Sequence, residues 1–349
     1  MLRRSILGTK SRPPPPRIAI KGKLKMIRLG LIGCGEHSEI GHAVPLARYK
    51  ATHTAEVELT AVCDIRRDRA ELFCRKYEFL TAYTDLDEML THEKLQACIA
   101  VVPVERITQL GIKLLKLGMP CVIEKPLGAS LSEVKSLREA ARTTATPNMV
   151  SVNRRFMPLL NQAIEWASRA GQLRYVRSTM TRHARTEPEF LWTTAVHAVD
   201  ALRHVAGDIK EASIRNLGND SSNAGWYGID LAFESGVAGR IDILPTSGVL
   251  EETYELIGES FRAIVTSPFG PERGLRCYQE NRLIIRETDE SVPEEVVNGF
   301  YDEAIALIRA VSNNEPLRPS IEDVYPSVDL CLKLAESAKL LGTSTSTNH

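Results

Sequence analysis

The chain has 349 residues, of which 43% are hydrophobic and 25% charged, a length that suggests two domains and a composition that excludes disordered and fibrous classes. Its 44 basic and 44 acidic side chains balance, so no strong field points to nucleic acid or a membrane surface. No run approaches the roughly 18 consecutive apolar residues of a membrane span.

Residues 1–25 stand apart. They hold eight Lys and Arg and no acid, which leaves the rest of the chain acidic by the same eight charges. The arginines and the lack of acids leave a mitochondrial presequence as a weaker alternative, against which the run Pro13–Pro16 disrupts the amphipathic helix such a segment forms. The segment reads as a disordered or non-native basic tail, or as translation from upstream of a start at Met26.

From Met26 onward, compact apolar runs predict five buried strands at 27–32, 59–63, 98–102, 121–123 and 149–152. Helical patterns lie between them. Val104, Ile107, Leu110, Leu114 and Leu117 share one helical face, and Ser130 with Glu133 predicts a capped start for a helix carrying Val134, Leu137 and Ala140. Continuous apolar strands alternating with helices imply a doubly wound parallel sheet covered on both faces, over residues 26–148.

Beyond residue 149 the rhythm changes. A helix at 159–170, a strand at 174–180 and a helix at 194–205 precede strand-like runs at 213–217, 228–234, 237–244, 253–258, 262–265 and 282–286. Closing helices are expected at 299–312 and 321–341. Strands following one another without intervening helices predict an α+β domain over 149–342, built on a largely antiparallel open sheet.

Seven cysteines form no C-x-x-C pair and no ligand cluster. They predict neither a disulfide framework nor a metal site, and a reduced, cytoplasmic setting.

Gly33-Cys34-Gly35 follows the first strand and precedes a helix expected to begin near Glu39. The first glycine permits a tight turn and the second admits a pyrophosphate to the helix N-terminus. Ser38 replaces the third glycine of the fingerprint. Asp64 ends the second strand, where an acid accepts hydrogen bonds from ribose hydroxyls and repels a 2′-phosphate, favouring NAD. Arg66 and Arg67 leave NADP as the alternative. Lys125, in Glu124-Lys125-Pro126, stands at a strand's carboxyl end, where ligands of such sheets bind.

Together these residues resemble the Gfo/Idh/MocA oxidoreductases: Gly33-Cys34-Gly35, Cys63-Asp64, Val102-Pro103, Glu124-Lys125-Pro126, Asn153-Arg154-Arg155-Phe156, Val196-His197-Ala198-Val199-Asp200 and Arg318-Pro319-Ser320-Ile321-Glu322-Asp323. The resemblance implies a Rossmann domain followed by a domain for substrate binding and oligomerisation. It implies Lys125 and His197 as catalytic residues, His197 taking the hydroxyl proton. Gly33, Gly35, Glu36, His37, Asp64, Val102, Pro103 and Glu124 would line the cofactor, while Arg154, Thr193 and Asp200 would face the substrate. Thr193 stands where the family often has an Asp, and Val104-Glu105-Arg106 lacks the His or Asn common there. The expectation is a metal-free, NAD(P)-dependent dehydrogenase of a sugar, cyclitol or related polyol, acting as a homodimer or homotetramer with neither nucleic-acid nor membrane partner. A non-catalytic dinucleotide sensor, and a lyase or glycosidase working by transient oxidation, are the alternatives.

Overall fold

A computed structural model describes residues 26–218 and 225–344, so the basic tail lies outside the described residues. Its first half is a six-stranded parallel sheet: β1 (Ile27–Ile32), β2 (Val57–Cys63), β3 (Thr81–Tyr83), β4 (Ala97–Ala100), β5 (Cys121–Glu124) and β6 (Asn148–Ser151), in the order β3-β2-β1-β4-β5-β6. The order reverses between β1 and β4, which opens a crevice beyond their carboxyl ends. β3 went unanticipated because three half-buried residues carry no periodicity.

Helices Val104–Lys116 and Leu131–Thr144 cover one face of this sheet. Ser130 caps the second of these, accepting from the Glu133 N–H at 3.3 Å, while the Glu133 carboxylate accepts from the Ala129 N–H at 2.8 Å. Helices Val44–Thr52 and Arg67–Tyr77 cover the other face, together with Phe300–Asn313 from far along the chain. Ala304, Leu307 and Ile308 of that last helix pack among Leu29, Leu31 and Leu46.

The second half forms an eight-stranded sheet from β7 (Leu173–Thr181), β8 (Ile209–Asn216), β9 (Tyr227–Phe233), β10 (Ala238–Leu244), β11 (Glu251–Gly258), β12 (Phe261–Thr266), β13 (Gly274–Gln279) and β14 (Arg282–Glu287). The order is β14-β13-β12-β11-β7-β10-β9-β8, antiparallel except where β7 pairs with β10. β13 was missed because it buries only Leu275 and Cys277 around an exposed Arg276. Helices Pro158–Ala170 and Val196–Ala206 pack on the inner face, and Ile321–Ser344 spans from there to the Leu131–Thr144 helix.

A short 3₁₀ turn, Asn153–Phe156, joins the two halves. The Asn153 amide donates to the Asn298 carbonyl at 2.7 Å, and Gly299, at φ +79°, passes so close that a Cβ would stand 2.3 Å from the Asn153 carbonyl oxygen. The junction and the start of the Phe300–Asn313 helix are thereby held together.

Candidate active site

The crevice begins at the glycine turn. Gly33 has φ +93°, and a Cβ there would lie 1.9 Å from the Val101 carbonyl oxygen, so only glycine lets the exits of β1 and β4 pass. Gly35 caps a helix that starts at Glu36, three residues earlier than expected, and runs through a π turn (Glu39–Ala43) into Val44–Thr52. No side chain bonds the first-turn N–H groups at this cap, and nothing lies within 4 Å of where a Gly35 Cβ would stand. An open cradle lined by backbone N–H groups suits a pyrophosphate. Ser38, in place of the third fingerprint glycine, closes the turn by donating to the Gly33 carbonyl at 2.6 Å.

Asp64 directly follows β2 and accepts from the N–H groups of Cys34 (2.7 Å) and Arg66 (2.8 Å). A carboxylate has about four acceptor sites, so two remain for ribose hydroxyls. Arg66 is paired with Asp68 and Arg67 lies 3.8 Å from Glu71, both at exposed positions. Glu36 is exposed in the first helical turn, Val102 is half-buried, and Pro103 caps the Val104–Lys116 helix. The residues present therefore fit a dinucleotide: two glycines, a free helix start and an oriented acid.

Across the crevice, Glu124 ends β5 in a buried position. Its Oε1 meets Nε2 of His42 at 2.8 Å and Nε2 of His37 at 3.1 Å, and its Oε2 accepts from the Lys125 N–H at 3.1 Å. Burial works against its charge, but the two histidines overcome that and hold the carboxyl well below the usual range. The opposite holds for Glu303, buried on the Phe300–Asn313 helix. Burial and the nearby Glu124 charge push it well above the usual range, and Ser151 donates to its Oε2 at 2.8 Å.

Lys125 reaches from the β5 end to the Thr193 carbonyl at 3.3 Å. Burial is the main cause of its lowered pKa, with repulsion from Arg154 and Arg185 opposing the attraction of Glu124 and Glu252. Thr193 ends the short helix Phe190–Thr193, one turn before His197 on Val196–Ala206. His197 is buried, and its Nδ1 has no hydrogen-bond partner among the described residues. Burial, then Arg154, Lys125, Arg182 and His37, hold it well below the ordinary imidazole value, so it is neutral at pH 7. Glu124, bonded to His37, is followed directly by Lys125, which reaches the Thr193 carbonyl one turn before His197, so the glycine-turn helix and the substrate-side helix flank the same strand end.

Three side chains expected to meet substrate are otherwise engaged. Arg154 is buried in a two-pronged pair with Glu252 (3.0 and 2.7 Å), its third nitrogen on Asn153 Oδ1 at 3.1 Å. Asp200 is filled by Arg155 (2.7 and 2.8 Å) and Ser327 (2.7 Å), so it clamps its helix to the junction and to the C-terminal helix rather than offering an oxygen to a ligand. The Thr193 hydroxyl donates to the Glu189 carbonyl at 2.8 Å, which is ordinary helix back-bonding.

Comparison with known proteins bears on the first half. The family described as an oxidoreductase family with an NAD-binding Rossmann fold, Gfo/Idh/MocA, matches residues 27–153. Residues 27–153 belong to the Gfo/Idh/MocA oxidoreductases.

Among relatives of this Gfo/Idh/MocA domain, 4-carboxy-2-hydroxymuconate-6-semialdehyde dehydrogenase of Sphingobium sp. is 26% identical over 170 residues, 45% of this chain and 54% of that protein. The chain thus spans about half the length of that relative. D-apiose dehydrogenase of Paraburkholderia graminis is 25% identical over 281 residues, covering 76% of this chain and 71% of that one. An oxidoreductase from Agrobacterium radiobacter, solved with NAD⁺, L-tartaric acid and magnesium, superposes with a TM-score of 0.73 at 17% identity, over 92% of this chain and 97% of that one. The Gfo/Idh/MocA match brings NAD as cofactor, which agrees with the cradle at Gly33, Gly35 and Asp64.

Sequence reasoning missed His42, Glu252, Arg182 and Arg185. His42 carried a signal: it sits two helical turns after the glycine turn, on the side facing β5. Glu252 carried a plainer one, because in Glu252-Thr253-Tyr254-Glu255-Leu256 the inward residues alternate and the first is a carboxylate.

Proposed function

We propose that the chain is an NAD-dependent dehydrogenase of a sugar, cyclitol or related polyol, working in a reduced, cytoplasmic setting. The observation that carries this reading is the buried His197, its Nδ1 without a hydrogen-bond partner among the described residues, one turn after the Thr193 carbonyl that holds Lys125. Bound NAD supplies the hydride acceptor for oxidation of a carbinol carbon. His197 is uncharged at pH 7 and so is ready to accept the hydroxyl proton. Lys125, held by the Thr193 carbonyl, places a donor where negative charge develops on the substrate oxygen. Glu124 fixes the backbone of Lys125 and ties that strand end to the glycine-turn helix through His37 and His42.

The test is NADH formation with a sugar and polyol panel for wild type, Lys125→Ala and His197→Ala. His197→Ala should lower kcat by about 10²–10⁴, the usual worth of a positioned proton acceptor, while calorimetry finds NAD binding nearly unchanged. Because the folded protein depresses the imidazole pKa, the acid limb of kcat/KM in wild type should fall below pH 6.5. If wild type reduces no NAD with any compound, the reading gives way to a non-catalytic dinucleotide sensor.

A further inference from the structure

The substrate side of the crevice holds more positive charge than its own carboxylates neutralise. Arg154 and Arg182 are both buried and share one acid: Glu252 accepts from Arg154 at 3.0 and 2.7 Å and from Arg182 at 2.5 Å. Lys125 faces a neutral carbonyl. Arg185 lies three residues past Arg182, in the exposed stretch after β7, 5.3 Å over the ring of Phe190, which opens the short helix whose Thr193 carbonyl holds Lys125. Its partner is Glu187, two residues further on. Four cations therefore stand against three carboxylates, Glu252, Glu187 and Glu124, the last of which also bonds His37 and His42 on the cofactor side, so one positive charge is left over. Burying a charge without a partner costs several kcal/mol, so this arrangement favours an anion from outside.

We propose that the alcohol this protein oxidises also bears a carboxylate, as a sugar acid or hydroxy acid does, and that Arg185 selects it. The hydroxyl part rests on the dehydrogenase reading; the carboxylate part rests on the charges and contacts just described. Arg154 and Arg182 set the field but have few donors to spare, because Asn153 and Glu252 occupy the first and the Thr181 carbonyl and Glu252 the second. Arg185 is different. Its guanidinium is about half exposed, and a pair such as Arg185–Glu187 contributes at most about 1 kcal/mol. A substrate carboxylate can replace Glu187 on the same planar fork with two charge-assisted hydrogen bonds. Thr193 leaves no carboxylate beside Lys125 to repel it. In the reaction the carbinol C–H leaves as hydride to NAD⁺, the hydroxyl proton passes to His197, a C=O forms, and the carboxylate is unchanged.

The experiment compares matched pairs: D-glucuronate with D-glucose, D-galacturonate with D-galactose, and L-tartrate with threitol. In wild type, kcat/KM for the acid should exceed that for its neutral partner by about tenfold or more, and rising salt should erode the gap. Arg185→Gln should cut the acid-to-neutral ratio about tenfold, chiefly through KM of the acid, with Arg185→Lys in between. Preference for the neutral partner, or a ratio that Arg185→Gln leaves alone, overturns the proposal. If no compound is oxidised, the dehydrogenase reading fails by itself and calorimetry on NADH-loaded protein decides the rest. Tighter binding of D-glucuronate than of D-glucose supports the carboxylate site, and equal or absent binding of both refutes it.

Discussion

Glu252 shows how one side chain can organise a site it need not touch chemically. Burial opposes its ionisation, yet Arg154 and Arg182 hold its pKa down at about 2. Tyr254 adds a hydrogen bond to Oε2 at 3.0 Å. Glu252→Gln would leave two buried guanidiniums without a counter-charge, a loss of about 3–5 kcal/mol. The sign with pH follows from the depressed pKa. The stabilisation is full above the unfolded value near 4.5 and disappears as pH falls toward 2. Urea midpoints of wild type and Glu252→Gln should therefore differ by a constant amount from pH 7 to pH 5 and converge below that. A gap that persists undiminished at pH 2.5 would show that the pair's charge is not its cause. Sequence alone could flag Lys125 and His197, whose neighbours form a recognisable pattern. It could not find the Arg154–Glu252 pair, whose members lie 98 residues apart, one on the junction turn Asn153–Phe156 and the other on β11.

At the scale of elements, the β2 end and the glycine turn act together. Asp64 is tied to the Cys34 N–H, so the acid that would meet the ribose also sets the loop that would meet the pyrophosphate. Asp64→Ala should weaken both NAD and NADP binding, and NAD more, because the ribose hydroxyl contacts go and repulsion of a 2′-phosphate goes with them. Calorimetry with both nucleotides checks this, and an equal loss for the two would remove Asp64 from the ribose site. The long apolar strands and the glycine turn were legible because each depends on local pattern. β3 and β13 were not, one being three residues long and the other offering two buried side chains, so their positions come from neighbouring strands. Asp200 illustrates the same limit on a helix: the family resemblance implied a place beside the substrate, while its partners Arg155 and Ser327 come from the junction turn and the C-terminal helix.

Across the whole molecule, the eight-stranded sheet has, among the described residues, helices packed on one face only. The other face carries a charge ladder, Arg177–Asp242 (2.7 Å), Arg240–Asp242 (2.8 Å), Arg240–Asp230 (3.0 Å) and Arg215–Asp230 (3.0 Å). Its edge strand β14 exposes Leu283 and Ile284. Edges and faces of this kind call for cover, and we propose that a second copy supplies it in a homodimer or homotetramer. Light scattering at micromolar concentration should then find a mass at least twice 38.7 kDa. A 38.7 kDa species alone would reject the assembly.

The Phe300–Asn313 helix, packed against β1 and the Val44–Thr52 helix, also imposes an order in time. The nucleotide-binding half emerges first during synthesis, but part of its hydrophobic interior is supplied by residues that follow it by well over a hundred positions. At roughly 5–20 residues per second, the ribosome delivers that helix about eight to thirty seconds after the last parallel strand. During that interval Leu29, Leu31 and Leu46 stand partly uncovered on the nascent chain. The half of the protein that is translated first is thus among the last to be completed, its hydrophobic interior closed only when the far end of the polypeptide returns to it.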